Sequence, residues 1–449
     1  MNTGLPRWRR NRCPATLQPM NTTHPSRRTF LKSSTATAGI LGFPALLTAA
    51  NPNSKIGVAC IGVRGRGNSV MGSFLAEPDC EITHICDLRA NVREQRGAEV
   101  EKRTGRKPKL VENYRNLLDD PSIDAFMVAT PDHWHALLTI EGCLAGKDVY
   151  VEKPASHNIA EGRVAVAAAR KRDRMVQMGT QIRSAPWLRE AREFIQSGAL
   201  GKVISGRAWE TEMTGPVKLV PDGQQPAGFD YNIWQGPAPE RRYNETIVTS
   251  AWRWLFNYGT GDLGNDGVHR IDYARYVMGL DALPDAVSCA GGKFFHDDDQ
   301  QWPDTQFVTY EYPRAVLQYE MRLWSRPRLH DAGEGAVIHG ENGWMLLTNT
   351  SWKAFDPADK VMKEGRGDSG DRAHVRNFLD AVKSRKRETL NQEIYSGHVS
   401  TLMCHAGNIA WRTGKKLRID PKTETFDDAE ANKLVGREHR KGFELPKIG

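Results

Sequence analysis

The sequence predicts an α/β protein: an N-terminal doubly wound parallel sheet, then an α/β domain with a large, mainly antiparallel sheet. Three observations predict it. Short apolar runs alternate with helix-period stretches between Lys55 and Gly179. After about Thr180 the apolar positions alternate in period two, between turn residues. The chain has 449 residues, which at roughly 150 per domain allows two or three domains.

Ile56–Ile61 reads as the first strand, followed by a glycine-rich turn and a helix from about Asn68 to Ala76. Glu81–Cys86 is the second strand and Arg89–Thr104 a charged helix. Ala125–Thr130, Asp148–Val151 and Met175–Gly179 are further strands, with helices at Ala136–Ala145 and Ile159–Lys171 between them. Such strand–helix alternation builds a parallel sheet. A helix near Trp187–Ser197 then leads into a strand at Lys202–Glu210 and a loop broken by Pro216, Pro221, Pro226, Pro237 and Pro239. Thr305–Tyr312, Ala315–Leu323 and Trp344–Thr348 carry the period-two pattern of an antiparallel sheet. Helices return at Ala373–Val382 and Tyr395–Arg412, and there is no internal repeat. The expected divisions are a leader over 1–50, a first domain over 51–180 and a second over 181–449.

At 39% hydrophobic and 26% charged, the composition excludes collagen-like, low-complexity and disordered chains. The formal charge of +8 invites a nucleic-acid reading. Of the 62 cations and 54 acids, however, seven cations (Arg7, Arg9, Arg10, Arg12, Arg27, Arg28, Lys32) and no acid fall within residues 1–50. The remainder is nearly neutral, so neither nucleic acid nor a membrane surface is an expected partner. Ser26-Arg27-Arg28-Thr29-Phe30-Leu31-Lys32 and the modestly apolar stretch from about Ala36 to Ala50 resemble a bacterial twin-arginine export signal. Gly39, Gly42 and Pro44 interrupt that stretch, which is shorter than the roughly 20 residues of a membrane span. Cleavage is expected near Ala49 or Ala50, with Met20 a second possible start. The resemblance implies export in the folded state to a periplasmic or extracytoplasmic location. Cys60, Cys80, Cys86, Cys143, Cys289 and Cys404 show no C-x-x-C or zinc-like spacing, which points to buried free thiols.

The first strand enters Gly62-Val63-Arg64-Gly65-Arg66-Gly67, a helix follows, and Asp87 closes the second strand 20 residues beyond Gly67. A dinucleotide needs these parts: backbone close to its pyrophosphate, a helix N-terminus aimed at it, and a carboxylate for ribose hydroxyls. Arg64 occupies the place of the second glycine on the G-x-G-x-x-G frame. Either Gly65 takes over that role or Arg64 bends outward. Asp87 favours NAD, while Arg64, Arg66 and Arg89 suit the 2′-phosphate of NADP, so the expected cofactor is NAD or NADP.

Three stretches carry a family resemblance: Ala129-Thr130-Pro131-Asp132-His133-Trp134-His135, Gly146-Lys147-Asp148-Val149-Tyr150-Val151-Glu152-Lys153-Pro154 and Asp266-Gly267-Val268-His269-Arg270-Ile271-Asp272. With them the chain resembles the glucose–fructose oxidoreductase/inositol dehydrogenase/rhizopine-catabolism (Gfo/Idh/MocA) family, in its exported, sugar-related form. The resemblance implies a Rossmann domain, then an α/β domain whose open sheet covers the site and often mediates homo-oligomerisation. It implies a small-molecule sugar or polyol substrate. It also places Thr130, Pro131, His133, His135, Glu152 and Lys153 beside the cofactor.

Lys153 lies just past a strand's C-terminal end, where its ammonium can hydrogen-bond a carbinol oxygen. His269 is the general-base candidate, because imidazole titrates near working pH. Family members place an Asp four residues before this His, on the same helical face. Here that residue is Asn265, which cannot accept a proton, and Asp266 or Asp272 is the candidate replacement. His133 and His135 have no third ligand at a recognisable spacing, so no metal is expected. Trp234, Trp252 and Trp254 are suited to stacking on sugar faces or to core packing. Three functions follow: hydride transfer on a sugar or polyol, glycoside cleavage through transient oxidation by retained NAD, or non-catalytic sugar binding with structural NAD.

Overall fold

The computed structural model describes residues 55–325 and 328–448; the expected leader, with Arg27 and Arg28, lies outside the described residues. β1 (Ile56–Ile61), β2 (Cys80–Cys86), β3 (Lys109–Val111), β4 (Ala125–Val128), β5 (Asp148–Glu152) and β6 (Val176–Gly179) form one parallel sheet. Their order is β3-β2-β1-β4-β5-β6. Helices α1 (Gly65–Leu75), α2 (Ala90–Thr104), α3 (His135–Leu144) and α4 (Ile159–Lys171) lie between strands in sequence. Every residue of β1, β4, β5 and β6 is buried, as expected when both faces are covered. Alternate residues feed two cores: Ala59, Ile61, Phe126 and Val128 share one with α3 and α4, and Val58, Cys60 and Met127 the other with Val70, Met71 and Phe74 of α1. The sheet's winding reverses between β1 and β4, and ligands of such sheets bind in the crevice outside the strand ends at that point.

After α5 (Pro186–Gln196) the chain builds a second sheet. It contains β7 (Val203–Thr211), β8 (Ala286–Gly292), β9 (Thr305–Tyr312), β10 (Ala315–Arg322), β11 (Glu334–Gly340), β12 (Gly343–Leu347), β13 (Ser351–Phe355) and β14 (Val361–Arg366), with the short β15 (Leu417–Asp420) and β16 (Thr425–Phe426). The order is β14-β13-β12-β11-β7-β10-β9-β8-β15-β16, and of these pairings β7 with β10 is parallel. The long excursion between those two strands supplies the crossover that parallel pairing needs. It carries α6 (Tyr231–Gln235), α7 (Glu245–Thr249) and α8 (Val268–Met278). Phe229, Tyr231, Trp234, Tyr243, Ile247, Val248, Leu255 and Tyr258 give this excursion a small core of its own, with Leu88 packed against it.

Two late helices bind the halves together. Val375 and Phe378 of α9 (Asp371–Ser384) pack with Phe74 of α1, and Phe378 also meets Tyr150 of β5 edge-on. Thus a helix from far along the chain closes one face of the first sheet. α10 (Ile394–Thr413) packs on α4, β6 and β8, so one core runs from β1 to β7, β10 and β11.

Candidate active site

The crevice outside β1 and β4 is a cavity of about 640 Å³, within the range of small-molecule sites. The loop after β1 forms one end of it. Gly62 has φ +78°, and a Cβ on it would lie 2.8 Å from the Ala129 carbonyl oxygen. A Cβ on Gly67 would lie 1.9 Å from the Gly62 carbonyl oxygen, so turn and helix meet too closely for any side chain. Gly65, at φ +23°, has open space where a Cβ would sit. Arg64 keeps ordinary extended backbone (φ −84°, ψ 177°), is exposed, and lines the cavity. The hydrogen-bond ladder of α1 starts with Asn68 N–H on the Arg64 carbonyl, which leaves the preceding amides outside it, as an anion site requires. Asp87 is oriented by two backbone donors at 3.1 Å, Val63 N–H on Oδ2 and Arg89 N–H on Oδ1. On the facing wall Thr130 Oγ1 is buried with no partner among the described residues, beside Pro131. Orphaned hydroxyl, bare glycine backbone and carboxylate together fit a dinucleotide.

At the other end, Lys153 follows β5. Its Nζ donates to the main-chain oxygen of Asn265 and, at 3.0 Å, to Asn265 Oδ1. Asp266 Oδ1 lies 3.6 Å from the same ammonium, and Asn265 Nδ2 donates to Asp266 Oδ2 at 2.8 Å. Asn265 thus bridges the cation and the carboxylate it cannot itself supply. Both residues sit on a π-helical turn, Leu263–Gly267, whose i→i+5 spacing offsets them from the register of α8. His269, in the first turn of α8, lines the same cavity. Burial, and next the Lys153 ammonium, push its pKa well below the ordinary histidine value, which favours the neutral ring. Glu152 is buried and accepts from Arg66 Nε at 3.0 Å and Gln181 Nε2 at 2.8 Å. His135 bridges the Thr130 carbonyl (2.8 Å) and the Pro154 carbonyl (2.7 Å), tying the loop after β4 to the loop after β5.

Two of the expected site residues, Asp272 and His133, do not line the cavity, and a third, Arg66, lines it with its guanidinium paired. Asp272 is buried, does not line the cavity, and accepts from Arg183 Nε (2.8 Å), Arg183 Nη2 (3.0 Å), Gln392 Nε2 (2.7 Å) and Ser400 Oγ (2.6 Å). Burial opposes its charge, but Arg183 wins and holds the carboxyl below its usual range. Of the two candidate carboxylates, Asp266 is the one that lines the cavity beside Lys153. His133 lies behind the cavity wall, its ring between the carbonyls of Trp234 (2.9 Å) and Tyr258 (3.3 Å), and burial pushes its pKa down to about 3. It anchors the excursion after β7 to the first domain. Arg66, on the cavity lining, pairs with Glu152 (3.0 Å) and Asp371 (2.8 Å).

The cavity also uses residues the sequence did not mark. Arg270 lines it while donating to Glu210 (2.9 Å) and Asn349 (2.9 Å) and pairing with Glu334. Burial, against the pull of Arg270, raises the Glu210 carboxyl to about 7. Asp132 is buried, accepts from Thr260 Oγ1 at 2.8 Å, and is raised by burial. Arg270 and Asp132 each adjoin a flagged histidine, which was a usable signal; Asn349 and Asp371 come from distant loops and carried none. Trp234 and Trp252 line the cavity, whereas Trp254 packs against the main core. Phe229, Val248 and Arg253 complete that wall. Among the described residues no group of three His, Cys, Asp or Glu is placed to hold a metal, and no helix is long and apolar enough to cross a membrane.

Comparison with known proteins agrees with this layout. Residues 56–180 match the sequence family described as "Oxidoreductase family, NAD-binding Rossmann fold", and residues 188–445 match "Oxidoreductase family, C-terminal alpha/beta domain". The chain is 34% identical over 260 residues to the uncharacterized oxidoreductase YrbE of Bacillus subtilis, covering 57% of this chain and 64% of that protein. It is 26% identical over 180 residues to levoglucosan dehydrogenase of Pseudarthrobacter phenanthrenivorans (39% and 38% covered). It is 31% identical over 205 residues to a glycosyl hydrolase family 109 protein of Saccharopolyspora erythraea (40% and 44% covered). The chain thus spans between 38% and 64% of these relatives' own lengths. Among solved structures it superposes on levoglucosan dehydrogenase with NADH and levoglucosan (TM-score 0.62, 18% identity, 81% of this chain and 99% of that one). It also superposes on the WlbA dehydrogenase of Bordetella pertussis with NADH and UDP-GlcNAcA (0.62, 16%, 82% and 99%). At these identities the superpositions show the fold. The two family matches take in nearly the whole described chain, and the protein belongs to the Gfo/Idh/MocA oxidoreductase family, with an NAD-binding Rossmann domain.

Proposed function

We propose that the protein transfers a hydride between a sugar or polyol-like alcohol and a tightly held NAD(P). The observation that carries this reading is the meeting of the Lys153 ammonium and the neutral His269 ring in a cavity that also holds the Gly62 loop and Asp87. The nicotinamide, when bound, accepts or returns the hydride. Lys153 orients the substrate oxygen by hydrogen bonding and stabilises charge that develops on it. His269 takes the hydroxyl proton as the carbonyl forms. Trp234 and Trp252 offer apolar faces to a sugar ring. A panel of sugars and polyols, with the bound cofactor followed by absorbance, tests the reading; no reduction by any of them counts against it.

A second reading is glycoside cleavage by transient oxidation, elimination and re-reduction, with no net cofactor turnover. It is favoured by Asp266, a second base candidate beside Lys153, and by the glycosyl hydrolase family 109 relatives. Products that appear without net NAD(P)H separate it from the first.

The same proposal includes export by the twin-arginine route and action as a homo-oligomer. Arg27→Lys with Arg28→Lys is expected to leave precursor in the cytoplasm, and unchanged export would overturn the route. A solution mass of one chain would overturn the oligomer. Outside the cytoplasmic membrane an enzyme that released its dinucleotide would stop after one turnover. Retention over hours at ordinary association rates requires roughly sub-micromolar affinity or better. Purified mature protein is therefore expected to carry near-stoichiometric dinucleotide, with turnover insensitive to added NAD(P). Protein emptied by dialysis, whose activity returns only with free cofactor, would be an ordinary dissociable dehydrogenase.

A further inference from the structure

We propose that Glu245, supplied by the second domain, selects NAD over NADP by occupying the guanidinium of Arg89. The inference rests on the cofactor lying in the crevice described above. Asp87 ends β2 and lines the cavity; its Oδ1 accepts the Arg89 N–H at 3.1 Å, which folds the chain back and sets Arg89 on the cavity wall beside it. In sheets of this kind the carboxylate reads the ribose hydroxyl of NAD, and a nearby arginine is the group that accommodates the 2′-phosphate of NADP. Here Arg89 Nη2 lies 3.4 Å from Glu245 Oε1, and the guanidinium stands 5.2 Å from the centre of the Phe229 ring. The other carboxylate oxygen of Glu245 accepts from the Tyr243 hydroxyl. Phe229 and Tyr243 are 6% and 7% exposed and belong to the small core that packs over Leu88. Arg89 is therefore paired from the second domain by a carboxylate that is 48% exposed and tied to the Tyr243 hydroxyl.

The neighbouring cations on the cavity lining are placed differently. Arg66 pairs with Glu152 and Asp371, and Arg64 is exposed. A 2′-phosphate entering beside Asp87 meets that carboxylate and an Arg89 guanidinium already paired with Glu245. A ribose hydroxyl meets only an acceptor, to which it donates. Glu245 acts through Arg89, so it is a positioning residue for cofactor choice. Sequence alone could not pair positions 89 and 245; the fold of the excursion after β7 brings them together.

The test compares wild type with Glu245→Gln, which keeps an acceptor for the Tyr243 hydroxyl. Each holoprotein is exchanged against an equal excess of NADH and NADPH to a constant ratio, and the bound nucleotide is read by mass spectrometry. Wild type is expected to hold mainly NADH. Glu245→Gln should raise the bound NADPH-to-NADH ratio roughly threefold, the scale of one released exposed ion pair. In the double variant with Arg89→Gln the gain should vanish, because it runs through Arg89; a merely structural role for Glu245 would not produce that dependence. An unchanged ratio in Glu245→Gln, a gain that survives loss of Arg89, or a wild type that prefers NADPH overturns the proposal. Wild type that binds neither nucleotide overturns the cofactor reading itself, and that failure is distinguishable from an unchanged ratio.

Discussion

Lys153→Ala is expected to lower turnover by about 100-fold or more, with protein that stays folded and keeps its dinucleotide. The Lys153 side chain is 14% exposed and lines the cavity, and its ammonium is aimed by two Asn265 oxygens with Asp266 at 3.6 Å. A methyl group in its place leaves the substrate oxygen without a donor at the moment it changes charge. It also leaves the carboxylate of Asp266 in the cavity without its cation. His269→Ala should cost a similar factor, since it removes the proton acceptor, on the scale of about 10²–10⁴ for acid–base help. The depressed pKa of His269 adds a pH signature. Its neutral form is the active one, so in wild type the acid limb of kcat should lie below about pH 6.5, the ordinary histidine value. Near-normal kcat in either folded, cofactor-loaded variant would remove that residue from the chemistry. An acid limb at or above pH 6.5 would mean that His269 is not the base.

Much of this site was legible in the sequence because its parts are local. The Gly62 loop, Asp87 and the Glu-Lys-Pro step each sit at the C-terminal end of a strand whose apolar run stands out, and β1 has the bounds its run suggests. His269 and Asn265 were readable for the same reason, as neighbours on one helical stretch. What escaped depends on contacts made far along the chain. Asp272 looked equivalent to Asp266 in spacing from His269, but only the packing of α8 against Arg183, Gln392 and Ser400 separates their roles. β3 has three residues and little burial, and β14 is an exposed edge strand, so neither shows the alternation that betrays a buried face. β8 carries Ser288, Gly291 and Gly292, which weaken the same signal. The placement of α9 on the first sheet has no local signature, because its apolar stripe does not say which core it meets.

Asp272→Ala is expected to cost about 3–5 kcal/mol of stability, the usual penalty for removing one partner of a buried ion pair. Arg183 and Asp272 have side chains 5% and 2% exposed, and the carboxylate answers Gln392 and Ser400 as well. Arg275, whose Nε lies 4.0 Å from Asp272 Oδ1, is 1% exposed and is pushed down to about 10 by burial and then by Arg183. Without Asp272, two buried guanidinium groups face each other with no carboxylate between them. The pH dependence follows from the direction of the shift. The native carboxyl is depressed, so its contribution is fully present above the unfolded value of about 3.9 and is lost as pH falls through the lower native value. The gap between wild type and variant, read from urea unfolding, should therefore be constant from about pH 5 to neutral and shrink only in stronger acid. Turnover per folded molecule should stay close to wild type, because Asp272 does not line the cavity. A variant as stable as wild type would show that the Arg183 pair does not hold this seam, and a stable variant with lost turnover would return Asp272 to the reaction.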